Sequence, residues 1–279
     1  MNQLITYIVT PSGVQQTARN LQGSWQALRS ELSKIHYIVQ TELRVKIYDK
    51  TLGLFFLLLE PILMATVYYV LTMVLLGSGT SKATFFNIYV AVVFWRWFNR
   101  TIDNAPGLFS GYGSVLKQTN YPVYSIVMSH IALEFTNVCF ALVVLVPFLS
   151  AFHYLPNYAY LALPIVMLSQ FCLMLPIALS LATAGAFVKD LQGVVYAVVG
   201  IWFYLSPGIY PVDRIPERYL WIYNLNPFAH ILPAYRTIML RGEFPDLLPL
   251  AVIALISLAL AVGASRLLAR ARYHFFSYL

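Results

Sequence analysis

The sequence predicts an all-α integral membrane protein with six transmembrane helices, an N-terminal amphipathic interface helix, and a re-entrant helical hairpin between the fifth and sixth spans. Three observations lead there. Of 279 residues, 59% are hydrophobic and only 10% are charged, whereas a soluble domain carries about a quarter charged residues. The apolar residues gather into long stretches near 52–76, 84–105, 122–150, 158–187, 191–207 and 245–268. About 20 apolar residues in a helix cross a bilayer core ~30 Å thick, and lipid leaves the backbone no other way to satisfy its hydrogen bonds. Finally, the basic residues segregate. With the N-terminus inside and the spans alternating, Arg19, Arg29, Lys34, Arg44, Lys46, Lys50, Lys117, Lys189, Arg266, Arg270 and Arg272 are cytoplasmic. Only Lys82, Arg214, Arg218, Arg236 and Arg241 fall outside. That bias sets orientation and puts both termini in the cytoplasm. It also accounts for the net charge of +7 without nucleic acid.

Residues 1–51 form the cytoplasmic N-terminal segment. Met1 to Thr10 lacks the basic start and cleavage site of a signal peptide, so the first apolar stretch is expected to be a retained helix. Within 24–50, Trp25, Leu28, Leu32, Ile35, Ile38 and Val39 recur at helical spacing. Such a helix can lie in the headgroup layer, as an anchor or as a docking surface for a cytoplasmic partner.

The membrane domain covers 52–268. Its first span contains Glu60-Pro61, a charge that must face protein or water. The second is aromatic, with Tyr89, Phe94, Trp95, Trp97 and Phe98. Arg96 and Arg100 near its inner end can snorkel to headgroups or contact phosphate, and Asp103 is spaced to pair with Arg100. A loop ending in Lys117 and Tyr121-Pro122 leads to the third span. There His130, Glu134 and Asn137 share one face, as interhelical hydrogen-bonding groups or as a polar track. The turn Lys189-Asp190 joins the fourth and fifth spans. Residues 208–241 are apolar but broken by prolines and charges. Two short helices dipping into the outer leaflet fit them, with the irregular backbone held against protein or a water-filled cavity. Residues 269–279 form a cytoplasmic tail.

Several chemistries are absent. There is no phosphate-binding glycine loop, no H-E-x-x-H, no Cys pair at metal spacing and no G-x-S-x-G. Cys139 and Cys172 lie in apolar spans as small hydrophobes. No catalytic or metal site is expected, and no cofactor on this chain. A stand-alone membrane enzyme or secondary transporter would have to rest on Glu134 with His130, or Asp213 with Glu217.

The order of features resembles ABC-2 type transporter permeases. The marks are Leu43-Arg44 with Lys46, Leu52-Gly53, Glu60-Pro61 and Val188-Lys189-Asp190-Leu191. The run Leu205-Ser206-Pro207-Gly208-Ile209-Tyr210-Pro211, followed by Asn226-Pro227-Phe228 and Tyr235-Arg236, is similar to the polysaccharide-export group that moves O-antigen, capsule or teichoic acid. One departure is the loop Leu116-Lys117-Gln118-Thr119-Asn120-Tyr121-Pro122, which has one lysine where the family usually has a basic pair.

The resemblance implies a homodimer in the bacterial cytoplasmic (inner) membrane with two nucleotide-binding ATPase subunits, which would hold ATP and Mg. The cargo would be a glycan on a polyprenyl diphosphate; export of a drug or small lipid is the alternative. Lys117, Tyr121, Lys189 and Asp190 would couple to the ATPase. Pro207, Gly208, Tyr210, Pro211, Asn226, Pro227, Phe228 and Arg236 would form the outer gate. For such a cargo, aromatic faces suit sugar rings, and the candidates are Tyr89, Phe94, Trp95, Trp97, Phe98, Tyr196, Trp202 and Tyr204. The diphosphate wants cations, and Arg44, Lys46, Arg96 and Arg100 are available.

Overall fold

The computed structural model describes residues 29–44, 53–76, 82–113, 116, 122–208 and 216–275. Among them every regular element is a helix. In chain order these are α1 (29–44), α2 (Gly53–Leu76), α3 (Lys82–Asn104), the short α4 (Leu108–Gly111) and α5 (Val123–Ala151). They continue as α6 (Leu163–Gly185), α7 (Leu191–Leu205), α8 (Leu220–Leu225), α9 (Phe228–Arg236) and α10 (Leu247–Phe275). Single 3-10 turns open α6 (Tyr158–Ala162) and α8 (Glu217–Tyr219), and a π-turn (Thr237–Arg241) closes α9.

Three helices among the described residues are long and apolar enough to cross a membrane: Val123–Ala151, Tyr158–Gly185 and Leu247–Ala271. Ile62–Leu71 and Leu191–Leu205 are shorter apolar helices. The chain is a multi-pass helical membrane protein. Among its described residues the segment 208–241 contains two short α-helices, α8 and α9, separated as its prolines dictate: Pro227 opens α9 with its fixed φ, and a helix cannot run through Asn226-Pro227 from the N-terminal side.

The bundle is built around α3, which packs against α2, α5, α6, α7 and α9. From Ile88 to Phe98 only Arg96 escapes full burial. A helix buried on every side sits at the centre of its protein. α10 lies along α6, where Ser169 Oγ donates to the Leu250 carbonyl at 2.9 Å. α6 is entered through Asn157, whose Oδ1 accepts from the Ala159 amide at 2.9 Å and whose Nδ2 donates to the Gly242 carbonyl at 2.8 Å. Gly242 ends the π-turn at φ +70°, left-handed backbone that glycine adopts without strain.

Candidate functional site

The ends of α7 and α9 are held together by Asn226. Its Oδ1 accepts from the Trp202 indole at 3.2 Å and from the Phe228 amide at 3.0 Å. Its Nδ2 donates to Ser206 Oγ at 3.0 Å and to the Leu205 carbonyl at 3.3 Å. One side chain thereby caps α9 and ties it to the end of α7. Arg236, at the far end of α9, adds two longer ties: Nε donates to the Asn87 carbonyl at 2.9 Å and Nη2 to the Gly208 carbonyl at 2.7 Å. Gly208 has no room for a side chain, because a Cβ would stand 2.6 Å from the Phe203 ring.

Against the start of α9 lies an aromatic collar. The Phe228 ring sits 4.7 Å from both Trp95 and Phe98 and 5.8 Å from Trp202, all near edge-on. Phe203 joins Trp95 at 5.2 Å and Tyr68 of α2 at 4.9 Å. Edge-to-face rings add about 0.5–1.5 kcal/mol per pair beyond area burial, so the collar binds α2, α3, α7 and α9 into one body. A polar chain fixes α9 to α6 and α3: Tyr235 OH donates to Gln170 Oε1, and Gln170 Nε2 donates to the Phe94 carbonyl, each at 2.9 Å. The Tyr235 and Phe94 rings stack nearly parallel, and all three residues are fully buried.

The opposite end of α3 carries charge. Arg100 Nη1 stands 4.0 Å from Glu134 Oε2, which also accepts from Asn137 Nδ2 at 2.9 Å. Arg96, Trp97 and Asn137 line a small cavity beside this pair, about 30 Å³ in volume. Asp103, spaced to meet Arg100, instead accepts from Asn99. Nearby, α6 and the turn Ala105–Gly107 interlock, since a Cβ on Gly185 would overlap the Pro106 carbonyl. The exposed turn Lys189-Asp190 follows directly from this contact.

Two acidic side chains join α1 to the same end. Glu31 accepts from Ser125 Oγ at the start of α5, and from Lys34 Nζ at 2.6 Å. The Lys34 ammonium, helped by the Ser125 hydroxyl, holds the Glu31 carboxyl below its ordinary value. Glu42 accepts from Tyr112 OH at 2.9 Å. Between α1 and Tyr112 runs an open groove of about 550 Å³.

The residues singled out in the sequence divide as follows. Trp95, Phe98 and Trp202, read as channel faces, and Asn226 and Phe228, read as gate, form one cluster. Tyr89, Phe94, Trp97 and Phe98 are buried in the bundle, whereas Tyr196 and Tyr204 are exposed on α7. Pro207 and Gly208 are buried beside the collar, and Pro227 starts α9. Arg44 is exposed at the end of α1, and Arg96 is half-buried. Lys46, Lys117, Tyr121, Tyr210 and Pro211 lie outside the described residues. Sequence reasoning passed over Gln170 and Gly185. Gln170 had a legible signal, as a polar side chain deep in an apolar helix.

Residues 33–240 match the ABC2_membrane family, described as ABC-2 type transporter. The chain is similar to the O-antigen export system permease protein RfbA of Myxococcus xanthus, 26% identical over 241 residues, which is 85% of this chain and 92% of that protein. It is also similar to an O-antigen export system permease protein RfbA of Klebsiella pneumoniae, 25% identical over 206 residues, covering 74% and 79%.

Proposed function

This chain belongs to the ABC-2 type transporter family, and on that premise we propose that it is the permease subunit of an ATP-driven exporter that moves a lipid-linked polysaccharide across the bacterial cytoplasmic membrane. The observation that carries the reading is the match along 85% of the chain to a protein named as an O-antigen export permease.

In this reading the permease acts as a homodimer of six-span chains with both termini cytoplasmic. Two separate ATPase subunits bind ATP and Mg and hydrolyse the nucleotide. α3, α5, α6 and α10 cross the membrane with α2 and α7, and α8 and α9 form the re-entrant hairpin at the outer face. α3 tolerates Arg96 and Arg100 because protein, not lipid, surrounds it. The collar of Trp95, Phe98, Trp202 and Phe228 closes the outer end.

Tyr196 and Tyr204, both exposed, offer ring faces to sugar. Arg44, Lys46, Arg96 and Arg100 serve the diphosphate at the inner rim. At the cytoplasmic end the ATPase pushes on Lys189-Asp190, Lys117 and Tyr121. The contact of Gly185 with Pro106 supports transmission, since a displacement of that turn moves the end of α3 through backbone in van der Waals contact.

The test is co-purification with the ATPase of the same gene neighbourhood, followed by ATP-dependent export in vesicles. Lys189→Ala and Asp190→Ala should uncouple hydrolysis from export while the chain stays folded. Absence of any binding between permease and ATPase overturns the proposal.

A further inference from the structure

The small cavity between α3 and α5 gathers groups that call for one more partner. Trp97 and Asn137 line it, beside Arg96, Arg100 and Glu134. Trp97 is 1% exposed and Asn137 7%. The Trp97 indole Nε1, a donor, and Asn137 Oδ1, an acceptor, are both buried without a hydrogen-bond partner. The Asn137 amide cannot turn over to relieve this. Its Nδ2 donates to Glu134 Oε2 at 2.9 Å, and a flipped amide would set two acceptors against each other. A buried polar atom left unpaired carries the full cost of its lost hydration, and lipid offers it nothing in return.

The walls define the ligand. Arg96 and Arg100 disfavour a cation, while Glu134 and the Asn137 carbonyl disfavour an anion. A neutral group that both donates and accepts suits them all. The volume of about 30 Å³ admits one or two waters and no larger ligand. Arg100 Nη1 stands 4.0 Å from Glu134 Oε2, too long for a direct hydrogen bond and a separation that one water bridges.

We propose that this cavity is a water-binding site: a water accepts from Trp97 Nε1 and donates to Asn137 Oδ1, with its remaining hydrogen and lone pair turned to Glu134 and Arg100. The joint between α3 and α5 is then partly made of water. It re-forms after a small displacement of the two helices, since a water reorients where a direct side-chain bond would break. The proposal rests on the packing of α3 against α5 and not on the export reading.

The test is hydroxyl-radical footprinting of the full chain in detergent by brief X-ray radiolysis, with oxidation located residue by residue in the mass spectrum. The radicals form from water itself, so a buried ring is oxidised only where a water lies against it. Trp95 is the internal reference: an indole two residues away, 5% exposed, and packed against Phe98, Phe203 and Phe228 instead of this cavity. Trp97 should be oxidised several-fold faster than Trp95, although it is the less exposed of the two. Oxidation of Trp97 no faster than that of Trp95 overturns the proposal.

Asn137→Leu removes one partner of the water and fills the space with an apolar group of similar size. It should bring Trp97 down to the rate of Trp95. Unchanged Trp97 oxidation in a folded Asn137→Leu chain would show that radicals reach the ring by another route, and also overturns the proposal. Should Asn137→Leu fail to fold, the comparison of the two indoles in the wild type decides alone. Neither measurement involves cargo or ATPase, so its outcome and that of the coupling test are independent.

Discussion

Asn226→Ala removes the side chain that ties the start of α9 to the end of α7. The amide accepts from Trp202 and Phe228 and donates to Ser206 and Leu205. The loss is not four full bonds. Ser206 Oγ already donates to the Trp202 carbonyl, and a second acceptor bond missing from a carbonyl or hydroxyl is cheap. The two orphaned donors decide the cost. The Phe228 amide loses its cap, worth about 0.5–2 kcal/mol, and the Trp202 indole loses its acceptor, about 1–3 kcal/mol if no water replaces it. Asn226 is half-buried, so water recovers part of this, leaving about 2–3 kcal/mol. That is roughly 30- to 140-fold in the local opening equilibrium at 1.4 kcal/mol per decade. Amide exchange of the first turn of α9 and of Ser206 reads it directly. Asn226→Asp keeps both acceptor functions and should show a much smaller effect. If Asn226→Ala leaves exchange within about twofold of wild type, while Asn226→Asp does the same, the clasp does not hold α9 to α7 and the reasoning fails.

Other predictions concern the opposite end. Gly185→Ala drives a Cβ into the Pro106 carbonyl and should cost about 1–3 kcal/mol, measured by thermal unfolding in detergent. Gly193→Ala, with nothing within 4 Å of the added carbon, should be neutral or stabilising by up to about 1 kcal/mol; equal effects at both sites would refute the close approach. Glu134→Gln should destabilise by about 1–2 kcal/mol, the full 3–5 kcal/mol of a broken buried pair being reduced by its 4.0 Å separation and the partial exposure of Arg100. Adding Arg100→Gln should then cost little more, whereas strict additivity in the double-mutant cycle would show that the two do not interact. The Glu31 carboxyl titrates below its unfolded value. Its tie to Ser125 is therefore complete above the ordinary carboxylate range and lost as pH falls through the lowered value. Exchange of residues 29–44 should accelerate under that acid shift in wild type, and Glu31→Gln should be indifferent to it.

The break between α8 and α9 was legible because proline and Asn-Pro dictate backbone locally: Pro227 suits the start of a helix and Asn226 its cap. The partners of that cap were not legible. Nothing in the spacing of Asn226 and Trp202 says that an indole 24 residues earlier donates to the amide, since this depends on how α7 and α9 cross. The Arg100–Asp103 spacing illustrates the opposite error. An i, i+3 pair is geometrically possible on any helix, yet Glu134 of a neighbouring helix draws Arg100, and Asp103 turns to Asn99. Local rules enumerate candidate partners, and packing selects among them.

α3 shows why apolarity alone misjudges importance in a membrane. Leu247–Ala271, the most apolar of the three long spans among the described residues, has only 22% of its most apolar stretch buried in protein, against 61% for Tyr158–Gly185. Lipid imposes hydrophobicity on a helix that faces it. A helix enclosed by other helices is released from that demand, and so can carry Arg96, Arg100 and Asp103 along with four rings of the collar and its neighbours. The same enclosure obliges it to pack on every face, which explains the crowding of Phe94, Trp95, Trp97 and Phe98 in a single turn and a half. Aromatic density there is what a central strut needs to hold five neighbours at once. On the export reading proposed above, rings that would face sugar are therefore to be sought first where rings remain exposed, at Tyr196 and Tyr204. If Tyr196→Ala and Tyr204→Ala leave export unchanged while the chain stays folded, the glycan does not travel along α7.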